Sequence, residues 1–304
     1  MDILVTGADG FIGQYVVRDL DQHGLHTIVW NGPQAALHGI DLANENNVTN
    51  AMKNDKPQVV LHLAGASSVA ESWNDPVTTI QTNVIGTLNL WNAARTCDVS
   101  RFIYVSSAEL YAVDPTDTTP ITESCPVNPR SPYATSKYAA ERLLQQLRKQ
   151  SSMDLVVVRP FNIVGPGQRP GFVLIDFARQ ILQAQEDHLT TIYTGNLDVT
   201  RDFLDVRDAA IAYRLLCTET YDEKVFNLCS GAGHPLQSVL QEMLAVAERP
   251  EVCAQPDPKK YRPNDRPILI GNRDTLTRAI KWHPEIPWET TLRDILAHEK
   301  SKAF

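Results

Sequence analysis

A strand-like run, Ile3–Thr6, passes directly into Thr6-Gly7-Ala8-Asp9-Gly10-Phe11-Ile12-Gly13, whose third glycine lies inside the helical pattern Phe11–Gln22. Glycines at this spacing let the backbone turn sharply and approach a pyrophosphate, which then rests on the free N–H groups at the positive end of the helix. A glycine-rich turn alone would be weak evidence; the strand before and the helix after make it a dinucleotide signature. Gly7, Gly10, Phe11 and Ile12 are the first candidate cofactor contacts.

The same alternation continues along the chain. His26–Trp30, Val59–Leu63, Phe102–Ser106 and Leu155–Val158 read as strands, and Val77–Ala94 and Tyr133–Lys149 carry apolar residues at helical spacing. Several of the strands are apolar at consecutive positions, as strands covered on both faces are. The predicted fold is α/β, a doubly wound parallel sheet followed by a smaller C-terminal α/β lobe that binds substrate. Residues 1–160 form the predicted dinucleotide-binding domain, to which 200–216 return, and 161–304 form the lobe, with Phe172–Gln185, Val225–Leu228 and Pro235–Ala247 as its elements.

The net charge of −8 argues against a nonspecific nucleic-acid partner, whose phosphates call for the opposite sign. Five scattered cysteines, without a CxxC, favour neither a disulfide framework nor a metal site. No apolar run approaches the ~20 residues of a membrane span, and residues 1–6 read as a strand rather than a leader, so a cytoplasmic protein is expected.

Where the second strand ends, an acid would hold a ribose 2′-hydroxyl and a base a 2′-phosphate. This chain has Asn31, which is neither, so NADP(H) meets no repulsion there and is the preferred cofactor, with NAD(H) left open. Asp41 and Leu42 are read either at the adenine edge or as a solvated loop.

Tyr133 and Lys137 stand four residues apart at the start of a helix and therefore share a face. An ammonium beside a phenol of ordinary pKa roughly 10 favours the phenolate and opens proton transfer near neutrality. Ser106-Ser107-Ala108-Glu109 follows another strand, at the sheet end where α/β proteins place ligands.

Taken in order, the glycine motif, His62-Leu63-Ala64-Gly65, Asn83 in NVIGTLN, Ser106–Tyr111, Tyr133/Lys137 and Arg159-Pro160-Phe161-Asn162 resemble the extended short-chain dehydrogenase/reductase family. The resemblance implies a Rossmann domain with a nucleotide-sugar lobe. It adds Leu63, Ala64, Gly65 and Asn83 to the cofactor contacts and makes Tyr133 the proton donor, Lys137 its partner and a ribose ligand, and Ser107 a donor to the sugar oxygen. It also implies a homodimer through the helices Val77–Ala94 and Tyr133–Lys149.

A narrower resemblance lies in the second half. Gly165-Pro166-Gly167-Gln168, Gly171-Phe172-Val173, Asp176-Phe177-Ala178, Arg201–Val206, Asn227–Gly231, Arg262-Pro263 and Leu269-Ile270-Gly271 are similar to the reductases of GDP-6-deoxy-4-keto-D-mannose, which form GDP-D-rhamnose. It implies that Asn162, Arg201 and Arg262 hold the nucleotide diphosphate, with Asp265 on ribose or guanine and Ala108 and Glu109 beside the sugar; Arg179 is read as a further basic residue of the substrate cleft. Ile163 departs from a histidine in those reductases and Asp265 from a glutamate, so the C4 epimer GDP-6-deoxy-talose stays open as product. The Ser107/Glu109 spacing also suits a GDP-mannose 4,6-dehydratase. A dinucleotide sensor without catalysis would have little use for Ser107, Tyr133 and Lys137.

Overall fold

The computed structural model describes residues 1–35, 37–112, 118–261 and 266–302. The first half builds β1 (Asp2–Thr6), α1 (Phe11–Gln22), β2 (His26–Trp30), α2 (Glu45–Asp55), β3 (Val59–His62), α3 (Val69–Asn74), α4 (Pro76–Ile80), α5 (Thr87–Thr96), β4 (Arg101–Val105), α6 (Pro132–Leu147) and β5 (Asp154–Pro160). The second half contributes β6 (Asn162–Val164), α7 (Val173–Glu186), β7 (Thr191–Thr194), β8 (Thr200–Asp205), α8 (Val206–Thr218), β9 (Val225–Leu228), β10 (Gly233–Pro235), α9 (Leu236–Val246), β11 (Cys253–Pro256), β12 (Ile268–Leu269), α10 (Asp274–Ile280) and α11 (Trp288–Lys302).

Six strands form one parallel sheet in the order β2-β1-β3-β4-β5-β9. The alternation of side chains along a strand divides the apolar runs between two cores. Ile3, Val5, Val59, Leu61, Ile103, Val105, Val156 and Val158 face α1 and α8, whereas Leu4, Val60, Phe102, Tyr104, Leu155 and Val157 face α2, α5 and α6. The chain changes direction across the sheet between β1 and β3, and a crevice at such a switch point is where ligands bind. Gly7, Leu63–Gly65 and Ser106–Ser107 all follow C-terminal strand ends there.

Smaller sheets, with β8 paired to β6, β10 and β12 and with β7 paired to β11, cover a third core built by α7, α9 and α11. Among the described residues no helix is long and apolar enough to cross a membrane.

Three elements depart from the sequence reading. Val225–Leu228, expected in the lobe, hydrogen-bonds to β5 as the edge strand of the first sheet. Its Phe226 and Leu228 are apolar on the face toward α8, so the sheet needs it to close that core. The polar stretch Glu45–Asp55 is a helix that buries only Val48 and Met52, too little apolar surface for a periodic signal. Val77–Ala94 is interrupted by a single π turn, Gln81–Gly86, between α4 and α5. Such turns insert an extra residue and re-aim side chains, often at functional sites; here Asn83 is turned inward and is buried.

Candidate active site

The glycine loop is built for close approach. Gly7 has φ +69°, and a Cβ there would lie 2.9 Å from the Ala64 backbone; at Gly13 it would lie 2.1 Å from the Gly7 carbonyl oxygen. Gly10 is the N-cap of α1 and offers no side chain to its first-turn N–H groups. Phe11 and Ile12 pack against the first core. A tight glycine turn on an uncapped helix N-terminus fits a dinucleotide pyrophosphate.

Beside it, an open cleft of about 460 Å³ is lined by Ala8, Gln14, Arg18 and Asn31, among others. Arg18 is a base that inspection of the β2 terminus alone does not find. It stands on α1, whose side chains lean back toward the helix N-terminus. Asp9 accepts from the Gly32 N–H at 3.2 Å, so an acid also stands at this edge. Asn31 is occupied locally, its Nδ2 donating to the Leu37 carbonyl. The exposed Asp41 accepts from the Ala43 N–H at 2.9 Å, while Leu42 is buried against α5-side residues.

The catalytic candidates converge at the ends of β3 and β4. Ser131 caps α6 by accepting from the Ala134 N–H, which sets Tyr133 and Lys137 one turn apart on the buried face of that helix. Tyr133 is 8% exposed and lies close enough to Ser107 for that hydroxyl to act on its phenol. Burial pushes its phenol up to about 12, the Ser107 hydroxyl works against this, and the nearby Glu109 carboxylate adds to it. The expectation that Lys137 pulls the phenol toward neutrality is therefore not met in the free protein: desolvation dominates, and Tyr133 is a neutral phenol at pH 7. That is the protonation state a proton donor requires.

Lys137 is 5% exposed, and its Nζ donates to the Val105 carbonyl at 3.0 Å. A Cβ on Gly65 would come within 3.0 Å of that Nζ and 2.9 Å of Asn83 Oδ1, so Gly65, Lys137 and Asn83 form one surface. Asn83 itself accepts from the Ala66 N–H and donates to Ser136 Oγ. Leu63 and Ala64 lie on the segment leading to Gly65, both partly buried.

Burial lowers Lys137 to about 8. An ammonium whose folded pKa lies below its unfolded value destabilises the fold fully below pH 8, and the cost disappears as pH rises from 8 toward roughly 10.4. Lys137→Met is expected to be more stable than the native chain at pH 7 by up to about 3 kcal/mol while losing cofactor affinity. Urea unfolding at pH 7 and pH 9.5 checks this; a variant less stable at pH 7 would count against a functionally retained, energetically costly lysine.

Behind the catalytic strand end lies a buried polar network. Ser106 Oγ donates to Glu141 Oε2 at 2.8 Å, and Arg159 Nε and Nη2 donate to the two oxygens of the same carboxylate. Arg159 Nη1 also reaches the Tyr111 hydroxyl at 3.0 Å, which donates to Asn227 Oδ1 at 2.6 Å. Glu141 follows Lys137 by one turn on α6, so the pair anchors the helix bearing Tyr133 to β4, β5 and β9.

Toward the lobe, β6 pairs with β8 and brings Asn162 beside Phe203, with Asn162 Nδ2 donating to the Asp202 carbonyl at 2.9 Å. Arg201 Nη1 donates to the Arg266 carbonyl, and Arg266 Nη2 donates to the Glu109 carbonyl at 3.0 Å. Arg266, absent from the sequence reading, thus links the Ser107–Glu109 loop to Arg201. Ala108 and Glu109 sit in the short turn after Ser107, whose Oγ accepts from the Glu109 N–H. Buried Asp202 accepts from Ser230, Gly231 and Gly271 and holds the loops around β8 together. Ile163 is buried in the first core.

Arg179 is not brought to this group. It stands on α7 with its Nε 3.7 Å from Glu299 of α11, while Asp176 and Gln180 of the same helix accept from the Gly171 and Tyr193 N–H groups. Arg262 and Asp265 lie outside the described residues.

A family model described as the NAD dependent epimerase/dehydratase family matches residues 3–229. The chain is 35% identical to the GDP-6-deoxy-D-mannose reductase of Pseudomonas aeruginosa, covering 99% of this chain and 97% of that protein. It is 28% identical to the GDP-6-deoxy-D-talose 4-dehydrogenase of Aggregatibacter actinomycetemcomitans, over 92% and 91% of the two. Among solved structures, RMD from Pseudomonas aeruginosa complexed with NADPH superposes with a TM-score of 0.89 at 33% identity, covering 99% of each chain. The UDP-glucose 4-epimerase of Thermus thermophilus in complex with NAD gives 0.87 at 29% identity, also over 99% of each. With the glycine loop, the Tyr133–Lys137 pair and the parallel sheet in place, the chain belongs to the NAD dependent epimerase/dehydratase family.

Proposed function

We propose that this protein is an NADPH-dependent reductase that converts the C4 ketone of GDP-4-keto-6-deoxy-D-mannose to an alcohol, giving GDP-D-rhamnose or its C4 epimer. The reading is supported by end-to-end similarity to a GDP-6-deoxy-D-mannose reductase, and the observation that carries it is the buried face of α6, which presents Tyr133 and Lys137 one turn apart, with Lys137 Nζ against Gly65 and Asn83.

The first sheet, with Gly7, Gly10, Leu63–Gly65, Asn83 and Lys137, would hold the dinucleotide. Arg18 in the cleft beside Asn31 favours a 2′-phosphate and Asp9 opposes it, so NADPH is the preferred cofactor and NADH a usable one. When bound, the reduced nicotinamide supplies the hydride to C4. Ser107 donates a hydrogen bond to the ketone oxygen, and Tyr133 gives its proton to that oxygen as charge develops. Lys137 stabilises the phenolate left behind and binds ribose. Asn162, Arg201 and Arg262 are assigned to the diphosphate, where bidentate guanidinium contacts are strongest, and Asp265 to the nucleoside. A panel of GDP, UDP, CDP and dTDP tests the base: GDP should raise the melting temperature most, since a ligand of the native state stabilises in proportion to affinity, and an equal or larger shift with UDP would reject GDP.

A second reading, a GDP-mannose 4,6-dehydratase, is favoured by one observation: Glu109 lies close enough to act electrostatically on Tyr133. Net consumption of NADPH separates the two, because dehydration leaves the cofactor unchanged.

A homodimer is also part of this proposal. Trp73, Val77, Ile80, Ile85 and Leu143 are exposed apolar side chains on α3, α4, the π turn and α6, a surface suited to a second copy. Sedimentation should give twice the 33.9 kDa chain mass; a monomer at micromolar concentration would reject it.

A further inference from the structure

We infer that His62 is a positioning residue that ties the glycine loop to the π turn carrying Asn83, and thereby keeps the Gly65–Lys137–Asn83 surface in register with the bound dinucleotide. The inference rests on the dinucleotide reading above, but not on the identity of the sugar.

His62 ends β3 and is 1% exposed. Its Nδ1 lies 2.7 Å from Thr6 Oγ1 and its Nε2 lies 2.9 Å from Thr87 Oγ1. Thr87 has one hydrogen and gives it to the Asn83 carbonyl at 2.8 Å, so toward His62 it can only accept. Nε2 therefore carries the ring hydrogen. In a neutral imidazole Nδ1 is then an acceptor, filled by the Thr6 hydroxyl, which in turn accepts from the Ala64 N–H at 3.3 Å. The result is a one-directional chain from Ala64 through Thr6, His62 and Thr87 to Asn83.

Each end of that chain touches a part of the candidate cofactor site. Thr6 is the last residue of β1 and immediately precedes Gly7, whose missing Cβ lets the loop close on Ala64. Thr87 is the first residue of α5 and grips the carbonyl of the residue that the π turn buries. Asn83 then bonds Ala66 and Ser136, and Ser136 Oγ donates to the Tyr133 carbonyl at 2.7 Å. Segments 56 and 25 residues away in sequence are thus held to one ring. Histidine suits the place because a single rigid side chain offers an acceptor on one nitrogen and a donor on the other.

The surroundings hold the ring neutral. Phe102 and Tyr104 pack on it with centroids at 6.0 Å. Burial and the Lys137 charge both lower its pKa, to about 3. A protonated ring would have to donate at both nitrogens, against the Thr6 hydroxyl's own bond direction.

The test combines a spectroscopic readout with variants of the full chain. In protein labelled with ¹⁵N-histidine, the His62 ring signals, assigned by their loss in His62→Gln, should show the Nε2–H tautomer and stay constant from pH 5 to pH 9. His62→Leu should weaken NADPH binding about tenfold and lower kcat by as much as ~100-fold, the scale of a 1 Å misplacement. His62→Gln, which keeps an acceptor and a donor, should recover most of both. Should His62→Leu not fold, Thr87→Val removes one end of the chain and should move the same two quantities in the same direction. A His62 signal titrating near pH 6.5, or folded His62→Leu or Thr87→Val protein with native NADPH affinity and kcat, would overturn the inference. Because the ring signals and NADPH binding need no sugar, a wrong substrate assignment leaves them intact.

Discussion

Replacing Tyr133 by Phe is expected to lower turnover of the keto-sugar by at least ~100-fold, the smaller end of what a positioned proton donor contributes. The ring is buried and Phe keeps its packing, so the fold should be retained. Ser107 Oγ still accepts from the Glu109 N–H, which leaves that hydroxyl partnered. NADPH binding should be nearly unchanged, because the surface assigned to the dinucleotide is made by Gly65, Asn83 and Lys137. Steady-state kinetics with parallel cofactor titrations check both halves, and a variant that turns over at the native rate would remove Tyr133 from the chemistry.

The largest effect on stability is expected at Arg159→Ala. The guanidinium and the Glu141 carboxylate are almost wholly buried, with side-chain exposures of 7% and 1%. Among the described residues, the carboxylate without Arg159 keeps the hydrogen bonds from Ser106 and Gln145. Leaving one partner of a buried pair uncompensated costs about 3–5 kcal/mol, against a total stability on the order of 5–15 kcal/mol for a typical domain. Arg159→Met combined with Glu141→Leu removes both charges and should recover much of the loss, since an apolar pair of similar volume needs no compensation. Urea unfolding of the three proteins decides, and an Arg159→Ala variant within about 1 kcal/mol of the native chain would show that the network contributes little.

Much of the first half of the fold is legible in the sequence because its determinants are local. Phe11–Gln22 and His26–Trp30 appear with the bounds read from periodicity. The glycine spacing predicts the Gly7 turn, and the four-residue spacing of Tyr133 and Lys137 predicts their common face. What escapes the sequence is long-range or lacks a periodic signal. The π turn arises inside an unbroken helical pattern, and α2 has too few apolar residues to announce itself. Edge strand β9 is recognisable as a strand, but its partner β5 lies about 70 residues earlier.

The site divides in the same way. Ser107, Tyr133, Lys137, Gly65 and Asn83 meet as their motifs suggest. Of the residues that hold them, His62 and Arg159 open two of the quoted motifs but Glu141 and Arg266 belong to none, and the partners of all four become visible only when distant strands are side by side. Arg179 shows the converse: an arginine that its position in the chain offers to the cleft lies beside Glu299 of α11 instead. The spacing of Tyr133 and Lys137 predicts a lowered phenol pKa, yet spacing says nothing about burial, and burial decides the direction for both groups.

The most direct test of the proposed reaction follows one atom. NADPH deuterated at C4 of the nicotinamide, incubated with the protein and GDP-4-keto-6-deoxy-D-mannose, should place deuterium at C4 of the 6-deoxyhexose, with one cofactor oxidised per sugar reduced. No transfer to that substrate, together with conversion of GDP-mannose at constant NADPH, would contradict the reductase assignment.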